Sequence, residues 1–297
     1  MLVTKVMHRV NLYIDNNIQI ISYPFMKLTM RVVDAFTDTL FKGNSAAVII
    51  HNDWLPVVTM ANIAAENNLS ETAYIKPIND NQFAIRWFSP ITEIDFCGHA
   101  TLASAFVLFT DNPHLNTIVF HTDKVGILEV NKGENGIIVM QFPNLKPTIA
   151  EHIPLALLDA ISIKPKQVLK NQQAYFVICE TEHEVLNITR NNDLLKTLDP
   201  YDLVVTAQAK SNNFADYDFV SRYFWPANGG DEDPVTGSIH AGLAPYWAAE
   251  LGKNKLVALQ ASKRQGVLHC EIDNSNGKDV VIISGQAVLY MQGEIHV

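Results

Sequence analysis

Two stretches of this chain share one pattern. Residues Arg86 to Phe109 read RWFSPITEIDFCGHATLASAFVLF, and the stretch opening at Arg222 reads RYFWPANGGDEDPVTGSIHAGLAPYWAAELG. Each runs Arg, aromatic, Phe, any residue, Pro, then an acidic loop, then a glycine (Gly98 or Gly237) that opens a long Ala-rich apolar run. Downstream, Gly126-Ile127-Leu128 matches Gly266-Val267-Leu268, and each is followed by an Asn-Gly hairpin signal, Asn135-Gly136 and Asn276-Gly277. The offset drifts only from 136 residues (Arg86 to Arg222) to 141 (Asn135 to Asn276). Landmarks recurring in this order point to a duplication, and so to two similar lobes.

The apolar runs after His99 and Ser238 have hardly a polar face. A helix apolar all round is buried on all sides, and runs of about ten to fourteen residues are too short to span a bilayer. The expected fold is therefore α+β: two pseudo-symmetric lobes, each a β-barrel-like wrap of strands around a central apolar helix. The glycine at each helix start presents unpaired backbone N–H groups and the positive end of the dipole. If the lobes face each other, two such ends converge on one anion and orient a carboxylate. Titrating groups come from the loops: Cys97, His99, Asp231, Glu232 and Asp233, with the Ser238 hydroxyl. A bland alternative makes Asp233 a helix cap and His99 a first-turn surface residue. The duplication favours a site, because a cap alone would not require both loops to carry the same entry strand and the same glycine.

Taken in order, residues 1–29 fall outside the repeat and read as an N-terminal extension, with Met26 or Met30 as an alternative start. Residues 30–143 form the first lobe, with a helix over 53–68 that has Pro56 near its first turn. Pro143 to Pro154 is the linker. The second lobe covers 150–297, with helical segments over 154–161 and 184–198, and its last strand is expected to pack back on the first lobe. In NLSETAYI, Glu71 begins a run of β-formers. Its carboxylate points either to solvent or into a cavity.

A net charge of -9 spread without basic stripes argues against nucleic acid. The three cysteines form no metal-ligand or CxxC spacing, and the ten histidines no HxxxH pair, so neither a metal nor a disulfide is expected. No nucleotide-binding fingerprint occurs. The odd cysteine count and the lack of a secretory pattern suggest a reducing, cytoplasmic setting without membrane contact.

The segments VDAFTDTLFKGNSAAVII, NLSETAYI, FSPITEIDFCGHATLASA, GGDEDPVTGSIHAG and SGQAVLYMQGEI resemble the PhzF-like family of phenazine-biosynthesis isomerase relatives, within the diaminopimelate epimerase-like superfamily. The resemblance covers roughly Lys27 to Val297. It implies the two-lobed fold with a site in the cleft, no cofactor, a small carboxylated metabolite as partner, and a homodimer. It also implies that Glu71 occupies the place of a glutamate that moves a proton between two carbons of a dihydro-hydroxyanthranilate. His99 and Asp233 match the auxiliary acid/base residues. Gly98, Gly237 and Ser238 match the substrate-binding positions, with Cys97 and Asn44 beside them.

The chain departs from the pattern in two places. Ser45 replaces the proline usual after Asn44. Cys97 stands where the phenazine-type isomerases carry a small residue and where epimerases and racemases carry a catalytic thiol. A thiol at a helix start is expected to have a lowered pKa, yet the matching position of the second copy is Thr236, so a two-thiol mechanism lacks its partner. Three readings follow: an isomerase using Glu71, an epimerase using Cys97 with a non-thiol partner, and a metabolite-binding protein without activity.

Overall fold

The computed structural model describes residues 26–277 and 279–297, so most of the expected N-terminal extension lies outside the described residues. The first half contains β1 (Lys27–Ala35), β2 (Asn44–Ile50), α1 (Val57–Asn67), β3 (Glu71–Pro77), β4 (Gln82–Phe88), β5 (Glu93–Ile94), α2 (Gly98–Asp111), β6 (Thr117–His121), β7 (Ile127–Lys132) and β8 (Ile138–Pro143). The second contains β9 (Thr148–Ile149), α3 (Leu155–Ala160), β10 (Gln167–Lys170), β11 (Ala174–Ile178), α4 (Glu182–Asn187), α5 (Asn192–Lys196), β12 (Asp202–Gln208) and β13 (Phe219–Phe224). It continues through β14 (Glu232–Asp233), α6 (Gly237–Leu251), β15 (Lys255–Gln260), β16 (Gly266–Asp273), β17 (Val280–Gly285) and β18 (Ala287–His296).

Strand pairing repeats the sequence duplication. In the first half β2 pairs β3 in parallel, β3 pairs β4 antiparallel, β4 pairs β6 in parallel, and β6, β7 and β8 follow antiparallel. In the second, β11, β12, β13, β15, β16 and β17 do the same in the same order. The repeated arginines hold equivalent places: Arg86 clamps Glu93 in a two-pronged pair (2.6 and 2.6 Å), and Arg222 clamps Glu232 (2.7 and 2.8 Å). The Asn135-Gly136 turn has positive φ at both residues (54° and 77°), as a turn of the mirror-image type requires.

The halves are joined by two antiparallel pairings, β8 with β17 and β1 with β18. One hydrophobic core then includes Phe36, Phe142, both central helices and strands of both halves. As expected, α2 and α6 are buried on nearly every face. Pro245 inside α6 has no N–H to give to the Ala241 carbonyl one turn back. That carbonyl instead accepts from the Leu145 N–H of the connection between halves (3.0 Å), so the missing helix bond becomes an anchor for the linker.

Three expected boundaries are corrected. Helix α1 begins at Val57 rather than at 53, because Pro56 has a non-helical ψ of 138° and sits at the N-cap, and it stops where Asn68 turns left-handed (φ 47°). The helix expected over 184–198 is two short ones: Arg190 is extended and bridges Ile161, and Asn191 caps a new start by accepting from the N–H groups of Asp193 and Leu194. The linker also contributes a strand of its own, β9 against β10.

Candidate active site

The two helix starts meet. A Cβ built on Gly98 would lie 3.6 Å from the Gly237 Cα, and both glycines are backed by the Phe142 ring. Around this junction lies a cavity of about 140 Å³, lined by Glu71, Cys97, Gly98, His99, Asp233, Gly237 and Ser238, with Phe96 and Trp225 as ring walls. The dipoles of α2 and α6 and their free first-turn N–H groups therefore point at one small space.

Glu71 is the first residue of β3, in parallel register with Ala46, and is 9% exposed. Strand β3 is buried on both faces between β2 and β4, which resolves the two orientations open from sequence: the carboxylate faces the cavity. His99, one residue into α2, brings Nε2 to 2.8 Å from Glu71 Oε2. That contact lies out of line for a hydrogen bond, and Oε2 is left buried with no hydrogen-bond partner. On the other side of the ring, Nδ1 lies 3.1 Å from Asn44 Nδ2 and 3.4 Å from Cys97 Sγ. Burial works against a charged His99, but its neighbours Cys97 and Glu71 raise its pKa well above the ordinary value.

Asp233 closes the other side. Its Oδ1 accepts from Asn44 Nδ2 (2.7 Å), and its Oδ2 accepts from the Thr236 hydroxyl. Burial pushes this carboxyl up to about 6; His99 pulls it down and Glu71 pushes it further up. Asn44 does not line the cavity. It is fully buried behind the wall, where it also donates to the Val235 carbonyl (3.0 Å) and accepts from Ser70 Oγ (2.9 Å). It thus holds Asp233 in place beside His99, where substrate contact was expected.

Cys97 corrects a second expectation. Its position at the head of α2 would lower its pKa, but burial dominates: the thiol is pushed up to about 11, with Glu71 raising it further and His99 only partly offsetting. Folding also brings Glu71, Cys97 and His99 together with ligand atoms all within 4.8 Å, a trio that the sequence spacing does not disclose. A metal there would have to displace the proton of that thiol.

Sequence reasoning missed Ser70, Gln173, Asp202, Tyr223 and Trp225, all of which line the cavity. Tyr223 and Trp225 lie within the second repeat copy, which was the available signal. Gln173 and Asp202 come from strand starts whose place depends on register across the lobe.

Fold and site together define a class, the two-lobed α+β isomerases of the diaminopimelate epimerase-like kind, with titratable side chains gathered at the meeting of two helix starts. A hydroxyproline epimerase of Agrobacterium vitis shares this fold at 11% identity (TM-score 0.54, covering 93% of each chain). The model of the phenazine biosynthesis-like family, PhzC-PhzF, matches residues 33–293, and the chain belongs to that family. It is 41% identical over 274 residues to an uncharacterised isomerase of Halalkalibacterium halodurans, covering 91% of this chain and 99% of the relative. A crystal structure of a PhzF-family phenazine biosynthesis protein from Enterococcus faecalis superposes with a TM-score of 0.84 at 40% identity, covering 92% of this chain and all of that one. Among the described residues no helix is long and apolar enough to cross a membrane.

Proposed function

We propose that this chain is a cofactor-independent isomerase that shifts a proton between two carbons of a small carboxylate-bearing metabolite, with Glu71 as the group that takes the proton and returns it. The observation that carries the reading is Glu71 Oε2: buried, facing the cavity, and without a hydrogen bond. Such an oxygen has a lone pair free to take a substrate proton.

The substrate carboxylate accepts from the first-turn N–H groups at Gly98 and Gly237, which sets the carbon chain across Glu71. Glu71 removes a proton from one carbon, and the electron pair left behind delocalises toward the bound carboxylate or an adjacent double bond. His99, whose Nε2 lies 2.8 Å from Glu71, and Asp233, whose raised pKa keeps a proton available below about 6, stabilise the developing anion. Glu71 then delivers its proton to the second carbon, so no net proton is gained or lost. The epimerase reading has less support: it needs a thiolate, whereas the Cys97 thiol is pushed up to about 11, and Thr236 takes the place of a second thiol.

Solvent deuterium incorporation into a panel of carboxylated metabolites, including dihydro-hydroxyanthranilate and several amino acids, tests the proposal by mass spectrometry with Glu71→Gln run alongside. Exchange into one compound that disappears in the variant is the expected result. A fully active Glu71→Gln would rule the mechanism out, and tight carboxylate binding without exchange into any compound would favour a binding role.

A further inference from the structure

Glu71 has a counterpart in the other half that the acid/base mechanism leaves unused. Asp202 is the first residue of β12 and pairs in parallel with Ala174 of β11, as Glu71 begins β3 and pairs in parallel with Ala46 of β2. Each strand then runs antiparallel to the repeated Arg-aromatic-Phe strand, Leu203 opposite Phe224 and Thr72 opposite Phe88. Both carboxyl groups line the same cavity.

Their surroundings differ. Glu71 Oε2 has no hydrogen bond, whereas Asp202 is fixed from two directions: Oδ2 accepts from the Tyr223 hydroxyl (2.5 Å) and Oδ1 from Asn228 Nδ2 (2.8 Å). Tyr223 is itself held, since Gln173 Nε2 donates to its hydroxyl (3.1 Å) and also to Ser238 Oγ (3.0 Å) at the head of α6. A carboxylate accepts about four hydrogen bonds, so Asp202 keeps acceptor capacity on the cavity side. The cavity wall carries three carboxyl groups, Glu71, Asp202 and Asp233, and no lysine or arginine is found among the described residues lining it. A ligand bearing only a carboxylate would satisfy the helix starts and leave the remaining acceptor capacity of Asp202 unused. A ligand bearing a donor as well would satisfy both.

We propose that Asp202, fixed by Tyr223 and Asn228, is the specificity-determining acceptor for a hydrogen-bond donor, amino or hydroxyl, that the substrate carries near its carboxylate. The proposal rests on the carboxylate-binding reading above, and it makes Tyr223 a positioning residue.

The test is calorimetric titration of the full chain with benzoate and with its 2- and 3-amino and 2- and 3-hydroxy derivatives. These are planar acids suited to a space near the size of a dry cavity that binds benzene, about 150 Å³. One donor-bearing acid is expected to bind about tenfold more tightly than benzoate, as a hydrogen bond to a charged group allows, and whether it is an amino or a hydroxyl acid identifies the donor. In Asp202→Asn that preference should fall to within about twofold while benzoate, relieved of a neighbouring carboxylate, binds at least as tightly as before. Tyr223→Phe, which leaves Asp202 in place but unfixed, should keep part of the preference with benzoate unchanged, and it decides the matter if Asp202→Asn does not fold. A preference that survives intact in both variants overturns the proposal, as does equal binding of all the acids by the wild type. Failure of benzoate itself to bind the wild type would instead defeat the carboxylate reading beneath it, and this proposal with it.

Discussion

Cys97 shows two opposed effects decided by magnitude. A helix start favours a thiolate by at most about 2 kcal/mol, whereas full burial of a charge costs several times that. The outcome, a thiol pushed up to about 11, is shared in direction by Cys179 and Cys270, both buried and pushed up to about 12. Iodoacetamide at neutral pH is therefore expected to label none of the three cysteines in the folded chain and all three after denaturation, read by intact mass. Rapid labelling of Cys97 in the native state would contradict this. Asp233 provides a second check. Its pKa of about 6 lies above the unfolded value of 3.8, so the unfolded state releases this proton first and stability falls as pH rises between those values, staying reduced above them. Relative to Asp233→Asn, the wild-type urea midpoint should be highest near pH 4 and lose ground by pH 7, and a constant difference would show that the carboxyl is not perturbed. Glu71, His99 and Asp233 were legible because their sequence neighbours carry the pattern of the motifs in which they stand. Asp202 was not, because its place in the cavity is set by pairing with Ala174 and by the Tyr223 hydroxyl, neither of which sequence spacing displays.

The two central helices were the most legible elements, since an apolar run without a polar face has few places to go but the middle of a lobe. Their close packing was not legible. Gly242 of α6 sits against β11, where an added Cβ would come within 2.7 Å of the Phe176 ring. Gly242→Ala should therefore cost about 1–3 kcal/mol as overpacking does, measured by chemical denaturation; a gain in stability, as helix propensity alone would give, would contradict the packing. Helix α1 and the 182–196 region were misjudged in extent for local reasons. Pro56 fixes the start of α1, and Asn191 is a strong enough cap to begin a helix of its own.

Across the whole molecule the halves are less separable than a duplicated sequence suggests. Strand β18, last in the chain, is bonded to β1 along nearly its whole length, from Lys27 opposite His296 to Ala35 opposite Ala287. A second tie runs from the loop after β15 to the first strands: Arg264 donates to Asp34 Oδ1 (2.8 Å) and to the Lys42 and Gly43 carbonyls (2.8 and 2.8 Å). Asp34, which is 2% exposed, also accepts from Ser45, the residue that stands where relatives were expected to carry proline. Arg264→Ala would leave that carboxylate buried beside neutral donors alone, at a cost of about 3 kcal/mol. Because one core spans both halves, the loss should appear as a shift of a single cooperative unfolding transition; two separate transitions in calorimetry would mean that the halves unfold independently.

The central claim is that one carboxylate, Glu71, carries the migrating proton while the neighbouring thiol does not. The most direct measurement is the rate of solvent-deuterium exchange into the compound that the wild type labels, compared among wild type, Glu71→Gln and Cys97→Ala under identical conditions. The account predicts a loss of about 10²- to 10⁴-fold in Glu71→Gln, the usual range for general acid/base action, with Cys97→Ala close to wild type. Abolished exchange in Cys97→Ala with Glu71→Gln still active would contradict it and make the thiol the proton carrier.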